Sequence, residues 1–300
     1  MKNKIIINEV IPSVFPSFGT ACWVGPENVR TWPAPQEGDD GVSLLTETLL
    51  EVSSKYKKVG FMMGFESVVR APLRDVDRIR SNLSEAGVTT IDGSDIVRQL
   101  RVIKSPFEIE RMRHGGLIAS AAFAALPARL LAMQAESDEG TVSEREAQTA
   151  MTLLMKEFGA DETPYVMTQS GMGGYDNIVL EPSDKHLQDG TVLVIDTGMR
   201  FESYFTDFDR NYIVGGDEYL TPEAARTHDK IWLATEAGFQ MANKKSADGC
   251  KTATSHDIFN AQVNALGLDP ATFSTGRLGH GLGLQYNFSF FTSPTLSFKN

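Results

Sequence analysis

The chain has 300 residues, of which 41% are apolar and 22% charged, as in an ordinary globular protein of one large or two modest domains. Its net charge of −11 argues against a nucleic-acid-binding surface, because binding phosphates requires clustered Lys and Arg. Two cysteines, Cys22 and Cys250, are too few for a disulfide framework, and the apolar run Ile5–Ile7 is too short for a membrane span. We therefore expect a soluble cytoplasmic protein that binds neither nucleic acid nor a membrane.

The first hundred residues alternate short apolar runs with segments of helical spacing, which is typical of a small α/β domain. The predicted strands are Lys4–Asn8, Val59–Met63 and Thr89–Ile91, and the predicted helices are Leu44–Ser54 and Asp75–Ala86. The stretch Gly25–Gly41 is rich in Pro, Gly, Trp and Asp and is predicted to be a long loop. A domain boundary is expected near Arg101–Ser105.

Four helices are predicted after this boundary. Ser105-Pro-Phe-Glu108 combines a capping box with a proline in the first turn, and predicts a long helix towards Pro127. Ser143 and Glu146 form a second capping box, whose helix is expected to end at Gly159. Two further helices are predicted, one from Thr221-Pro222 to about Ala242 and one that is capped by Ser255 and ends at Gly267.

Two aspartates lie in a region with the pattern of a β-hairpin. Thr191–Thr197 reads as a buried strand, Phe208–Val214 as its antiparallel partner, and the loop between them is expected near Met199–Ser203. Asp196 and Asp207 are eleven residues apart, so paired strands can bring both carboxylates towards one point, where hard divalent ions would bind. The alternative is that Asp196 shapes a turn while Asp207 pairs with Arg210.

A glycine-rich segment, Gly279-His280-Gly281-Leu282-Gly283, is the second candidate site. An imidazole between glycines lets the backbone come close to an ion or a substrate, although a lone histidine in such a loop is often structural. A dinucleotide-binding loop is disfavoured, because no strand and following helix frame these glycines.

Taken together and in this order, VLVIDTG, YFTDFDR and GHGLG resemble the metallopeptidase family of proline-specific aminopeptidase, proline dipeptidase, creatinase and methionine aminopeptidase. The segment 101–110 is similar to the start of that family's catalytic domain. The resemblance implies an α+β protein in which residues 1–100 form part of a creatinase-like N-terminal domain. Residues 101–300 would form an incomplete pita-bread domain, a curved pseudo-symmetric antiparallel sheet with flanking helices, in a homodimer.

The resemblance also implies a function. Relatives hold two divalent ions, such as Mn, Co, Zn or Fe, with two aspartates, a histidine and two glutamates, and the matching residues here are Asp196, Asp207 and His280. A water activated by the metals would attack a small peptide, often before proline, or a small amide such as creatine. No glutamate follows Glu236, so the family's two glutamate ligands have no counterpart after His280.

Other departures from the family pattern bear on activity. The family's substrate-contacting histidine, upstream of the first aspartate, is also missing, and Tyr175 and Asp176 are the candidates to line the pocket instead, unless they belong to a plain polar loop. The apolar tail Tyr286–Phe291 is what a shifted reading frame or a truncated gene would produce. The alternative function is therefore a catalytically inactive, truncated relative or pseudoenzyme.

Overall fold

The computed structural model describes residues 5–8, 29–32, 37–64, 67, 69, 71–171, 181–244, 253–271 and 281–284. By internal contacts the chain divides into two compact units, Met1–Leu100 and Arg101–Asn300.

The first unit contains two pairs of parallel strands and amphipathic helices, as the predicted α/β pattern requires. Strands β1 and β2 pair with each other, as do β3 and β4. Val42, Ile79, Leu83 and Val88 form its buried core. The elements in chain order are β1 (Ile5–Asn8), β2 (Val29–Trp32), α1 (Val42–Val52), β3 (Lys58–Phe61), α2 (Leu73–Glu85), β4 (Thr89–Asp92) and α3 (Ser94–Val102).

The prediction that Gly25–Gly41 is entirely a loop was wrong. Within it, Val29–Trp32 forms β2, which pairs in register with β1, Ile5 opposite Val29 and Asn8 opposite Trp32. A four-residue strand flanked by glycine and proline has almost no periodic signal of its own, and its partner lies more than twenty residues earlier in the chain.

The second unit contains four α-helices among its described residues: α4 (Pro106–Glu136), α5 (Glu144–Glu157), α6 (Pro222–Ala242) and α7 (Ser255–Ala265). The capping boxes predicted at Ser105 and Ser143 are confirmed, each with its hydroxyl and carboxylate hydrogen bonds in place. The predicted cap of α7 was one residue late. Thr254 is the N-cap, and its hydroxyl and the carboxylate of Asp257 form the capping box.

Helix α4 does not end near Pro127 but continues through it. Proline has no N–H, so the carbonyl of Phe123, four residues earlier, loses its helical partner. The hydroxyl of Tyr212 replaces that partner by donating to the Phe123 carbonyl oxygen at 2.8 Å. Burial raises the pKa of Tyr212 to about 12, against a lesser opposing effect of Arg210, so the phenol stays protonated as a donor.

A three-stranded antiparallel sheet lies beside α4 and α5. Its strand order is β5 (Glu162–Gly171), β6 (Val192–Phe201) and β7 (Tyr204–Ile213). The predicted hairpin is confirmed, but its strands are longer and its turn is shorter than expected. The turn consists of Glu202 and Ser203, which have φ values of 46° and 72°. Two central residues with positive φ are typical of the type I′ turn that suits the twist of a tight hairpin.

One face of this sheet packs on α4 and α5. Leu193, Ile195 and Met199 of β6 are at most 2% exposed and lie in a single core cluster with Ala122 and Met151. The backbones approach closely at Gly115 of α4, where a Cβ would lie 2.8 Å from Cγ2 of Thr206.

Among the described helices, α4 alone is long and apolar enough to span a membrane, with a mean hydropathy of 1.6 in its most apolar 18-residue window. The core helix of a globular protein has the same length and composition, and α4 buries Ile118, Phe123 and Leu126.

Candidate metal centre

Asp196 and Asp207 lie on the same face of the sheet, opposite the face that packs on α4 and α5. In the antiparallel register Asp196 is opposite Asp209, and Asp207 is opposite Gly198. Because side chains alternate along a strand, all four positions share one face. Diagonal positions on paired strands are about 7–8 Å apart, so Asp196 and Asp207 are near neighbours on this face. Both aspartates are partly buried.

The register argues against the alternative reading of these residues, a turn at Asp196 and an ion pair between Asp207 and Arg210. Asp196 shapes no turn, because β6 continues to Phe201. Asp207 and Arg210 are three residues apart on one strand and therefore point to opposite faces, so the alternative ion pair was wrong. Arg210 instead donates to the main-chain carbonyl of Asp209 at 2.6 Å and lies 5.4 Å from the ring centre of Phe208.

Tyr165 of β5 joins this face and was not identified from the sequence. Tyr165 is opposite Gly198, which is opposite Asp207, so the three form one row across the sheet. The Tyr165 hydroxyl donates to Oδ1 of Asp207 at 2.6 Å. A Cβ on Gly198 would lie 2.4 Å from Cε1 of that ring. The glycine of the VLVIDTG motif therefore leaves room for a tyrosine to reach across β6 to the aspartate.

The end of the glycine-rich segment lies along the outer edge of β7. Phe205 precedes Asp207 by two residues on this strand, and its N–H donates to the carbonyl oxygen of Gly283 at 2.8 Å. This contact brings the residues that follow His280 to the strand that carries the second aspartate. His280 itself lies outside the described residues.

The two predicted substrate-binding residues, Tyr175 and Asp176, also lie outside the described residues. Within the described ranges no group of three or more His, Cys, Asp or Glu residues is arranged to hold a metal ion. Three carboxylates of the described chain, those of Asp196, Asp207 and Asp209, share one face of the sheet, and oxygen ligands of this kind fit hard divalent ions.

Glu144, at the start of α5, is a second residue whose role the sequence did not reveal. It is 3% exposed, and its carboxylate accepts four hydrogen bonds. The N–H and hydroxyl of Ser170 bind one oxygen, both at 2.8 Å, and those of Ser183 bind the other at 3.2 and 2.7 Å. Burial by itself raises the pKa of Glu144, but these hydrogen bonds outweigh it, and the pKa is lowered.

The position of Glu144 gives it a structural role near the predicted substrate side. Ser170 lies at the end of β5 and Ser183 follows the segment 172–180, which contains Tyr175 and Asp176. One buried carboxylate therefore ties together the described residues on either side of that segment. The sequence gives no sign of this role. Ser143 and Glu146 form a capping box around Glu144, and an acidic residue in the first turn of a helix is ordinary.

Comparison with known proteins agrees with this geometry. The model of metallopeptidase family M24 matches residues 110–298. The probable dipeptidase PepE of Mycobacterium tuberculosis is 26% identical over 203 residues, covering 66% of this chain and 48% of that protein. The Xaa-Pro dipeptidase of Pyrococcus horikoshii is 28% identical over 199 residues, covering 64% and 50%. The chain thus spans about half the length of the curated relatives it matches.

The fold agrees as well. The crystal structure of the X-Pro aminopeptidase from Thermotoga maritima superposes with a TM-score of 0.68 at 21% identity, covering 93% of this chain and 69% of that one. The mixture of helices and sheet matches that of the aminopeptidase and prolidase type, so the fold class predicted from the sequence is confirmed. The family match extends over more than half of the sequence, and the chain belongs to metallopeptidase family M24.

Proposed function

We propose that the chain forms part of a metal-dependent hydrolase of the Xaa-Pro aminopeptidase, Xaa-Pro dipeptidase or creatinase type. Its substrate would be a small peptide or amide, and its cofactor two divalent ions such as Mn, Co, Zn or Fe. The observation that carries the proposal is the placement of Asp196 and Asp207 on one face of paired strands. The dipeptidase and aminopeptidase names of the relatives support the substrate class.

The residues around the carboxylates suit such a site. Val194 and Phe205 lie on the same face by strand alternation and are 4% and 3% exposed. Apolar neighbours lower the local dielectric and so strengthen electrostatic interactions with Asp196 and Asp207. The opposite face of β6 is packed in the core, so the strand that carries Asp196 is held rigidly.

In this reading Asp196 and Asp207 bind the metals, and His280 is the third ligand. Divalent ions, when bound, lower the pKa of a water and polarise the scissile carbonyl. Tyr175 and Asp176 would contact the substrate, on a segment flanked by the residues that Glu144 holds. A homodimer is a further expectation from the family resemblance, and a cytoplasmic location is an expectation from the two cysteines and the short N-terminal apolar run.

The test is the metal content of the purified 300-residue protein after incubation with Mn²⁺, measured by elemental analysis. About two equivalents are expected in the wild type, together with release of the N-terminal residue from Xaa-Pro dipeptides. Asp207→Ala should lose most of the metal, whereas Asp138→Ala, an exposed aspartate elsewhere, should retain it. Metal content that is unchanged in Asp207→Ala would refute the proposal. Full metal content without hydrolysis of any peptide or small amide would favour a catalytically inactive relative.

A further inference from the structure

We propose that Tyr165 is a positioning residue, which orients the Asp207 carboxylate for metal binding by donating a hydrogen bond to it. The inference rests on the proposed function, since it assigns a role to a residue beside one of the two metal-binding aspartates. It is carried by the row of Tyr165, Gly198 and Asp207 across the sheet and by the 2.6 Å bond between phenol and carboxylate.

The phenol is held in place from two directions. Its ring lies against Gly198, where even a methyl group would overlap it. Its own backbone carbonyl accepts a hydrogen bond from the Thr197 hydroxyl at 2.9 Å, in addition to the β5–β6 ladder. A donor that is fixed in this way fixes the rotation of the carboxylate that accepts from it.

The hydrogen bond acts on the orientation of the carboxylate. An ionised carboxylate has two oxygens with about four lone-pair sites, and the phenol donates to Oδ1. This bond restricts the torsion of the Asp207 side chain and so the direction in which its oxygens face a cation. Partners of this kind typically account for about 10–100-fold in metal affinity, because they orient the ligand before the metal arrives.

A purely structural role is the competing explanation, in which the bond only helps to pin three strands together. The two explanations differ in what the hydroxyl affects. If the bond is structural, its loss lowers stability but leaves the affinity of the folded protein for metal unchanged. If it orients Asp207, metal affinity falls even under conditions where the protein remains fully folded.

The experiment compares Tyr165→Phe with Tyr204→Phe in the full chain. Phenylalanine keeps the ring against Gly198 and removes only the hydroxyl. Tyr204 lies on β7 near Asp207, but its hydroxyl donates to Glu108, at 3.2 Å, on the helix side of the sheet. Both variants lose one tyrosine hydrogen bond to a carboxylate, so their unfolding midpoints control for structural damage.

The readouts are the dissociation constant for Mn²⁺, from competition with a chelator, and the visible absorption spectrum of the Co²⁺ form. We expect Tyr165→Phe to bind Mn²⁺ about 10–100-fold more weakly and to shift the Co²⁺ bands, with neither change in Tyr204→Phe. Wild-type affinity in Tyr165→Phe would overturn the inference and leave the proposed function standing. Absence of metal binding by the wild type, or binding unaffected by Asp207→Ala, would overturn both.

Discussion

Replacing Tyr212 with Phe should destabilise the second unit by acting on a helix 89 residues away in the sequence. The variant removes only the hydroxyl that donates to the Phe123 carbonyl, an acceptor that Pro127 leaves without its helical partner. The side chains around it are buried, since Phe123 and Leu126 are 5% and 0% exposed. Tyr212 itself is partly buried and lines a cavity of about 210 Å³ together with Leu126 and Pro127, so the carbonyl keeps some access to water once the phenol is gone.

Two costs determine the expected loss in the free energy of unfolding. Losing a neutral hydrogen bond costs about 0.5–1.5 kcal/mol, and leaving a buried carbonyl unsatisfied costs about 1–3 kcal/mol. Tyr212 is only partly buried, so we expect a loss of about 1–2 kcal/mol in the free energy of unfolding. In a unit of this size that corresponds to a fall of about 2–8 °C in the melting temperature.

A double-mutant cycle with Pro127→Ala tests the mechanism. Alanine restores an N–H that can donate to the Phe123 carbonyl, so the phenol is no longer the sole replacement for the helical donor. The cost of Tyr212→Phe, measured by urea unfolding with circular dichroism, should then fall by about 1 kcal/mol. An equal cost in both backgrounds would refute the idea that the tyrosine compensates for the proline.

The same residue predicts a pH dependence. Burial raises the pKa of Tyr212 from 10.0 to about 12 in the folded protein. Because the pKa of Tyr212 is higher in the folded state, the contribution of the protonated phenol to the free energy of unfolding is complete below the unfolded-state pKa, near pH 10. It is lost as the pH rises through 12. The stability difference between the wild type and Tyr212→Phe should therefore narrow between pH 10 and 12, and a constant difference would contradict the assignment.

Two further substitutions probe the candidate site by urea unfolding. Glu144→Gln should cost about 1.5–3 kcal/mol at neutral pH, because it removes the charge that four donors share. Since the pKa of Glu144 is lowered from 4.5, that stability is present above pH 4.5 and is lost as the pH falls through the folded-state pKa. Gly198→Ala should cost about 1–3 kcal/mol, because its Cβ overlaps the Tyr165 ring, and Tyr165→Ala should relieve most of that cost.

Matched controls accompany both. Glu136→Gln removes an exposed carboxylate and should change stability by less than about 0.5 kcal/mol at every pH. Gly116→Ala places a methyl group in ordinary contact with Phe208, 3.8 Å away, within α4, and should not destabilise. A Glu144→Gln deficit that persists unchanged in acid would contradict the first prediction. A Gly198→Ala cost that survives in the Tyr165→Ala background would contradict the second.

The sequence by itself determined the features that depend on neighbours a few residues apart. Ser105 and Ser143 begin helices because each can exchange hydrogen bonds with a glutamate three residues on, and α6 begins at the predicted Thr221-Pro222 and ends at Ala242. The apolar run Thr191–Thr197 and the segment Phe208–Val214 likewise predicted a hairpin, with Asp196 in its first strand and Asp207 just before its second. Register then places both on one face, because side-chain direction repeats every two residues.

Only the tertiary structure decided features that depend on distant partners. Pro127 reads as the end of a helix until Tyr212 supplies the hydrogen bond that proline cannot, and Val29–Trp32 becomes a strand because β1 pairs with it. Tyr165 reaches Asp207 across 42 positions of sequence. Local hydrogen-bonding preferences are encoded in the order of nearby residues, whereas the identity of a partner brought close by folding has no local signature.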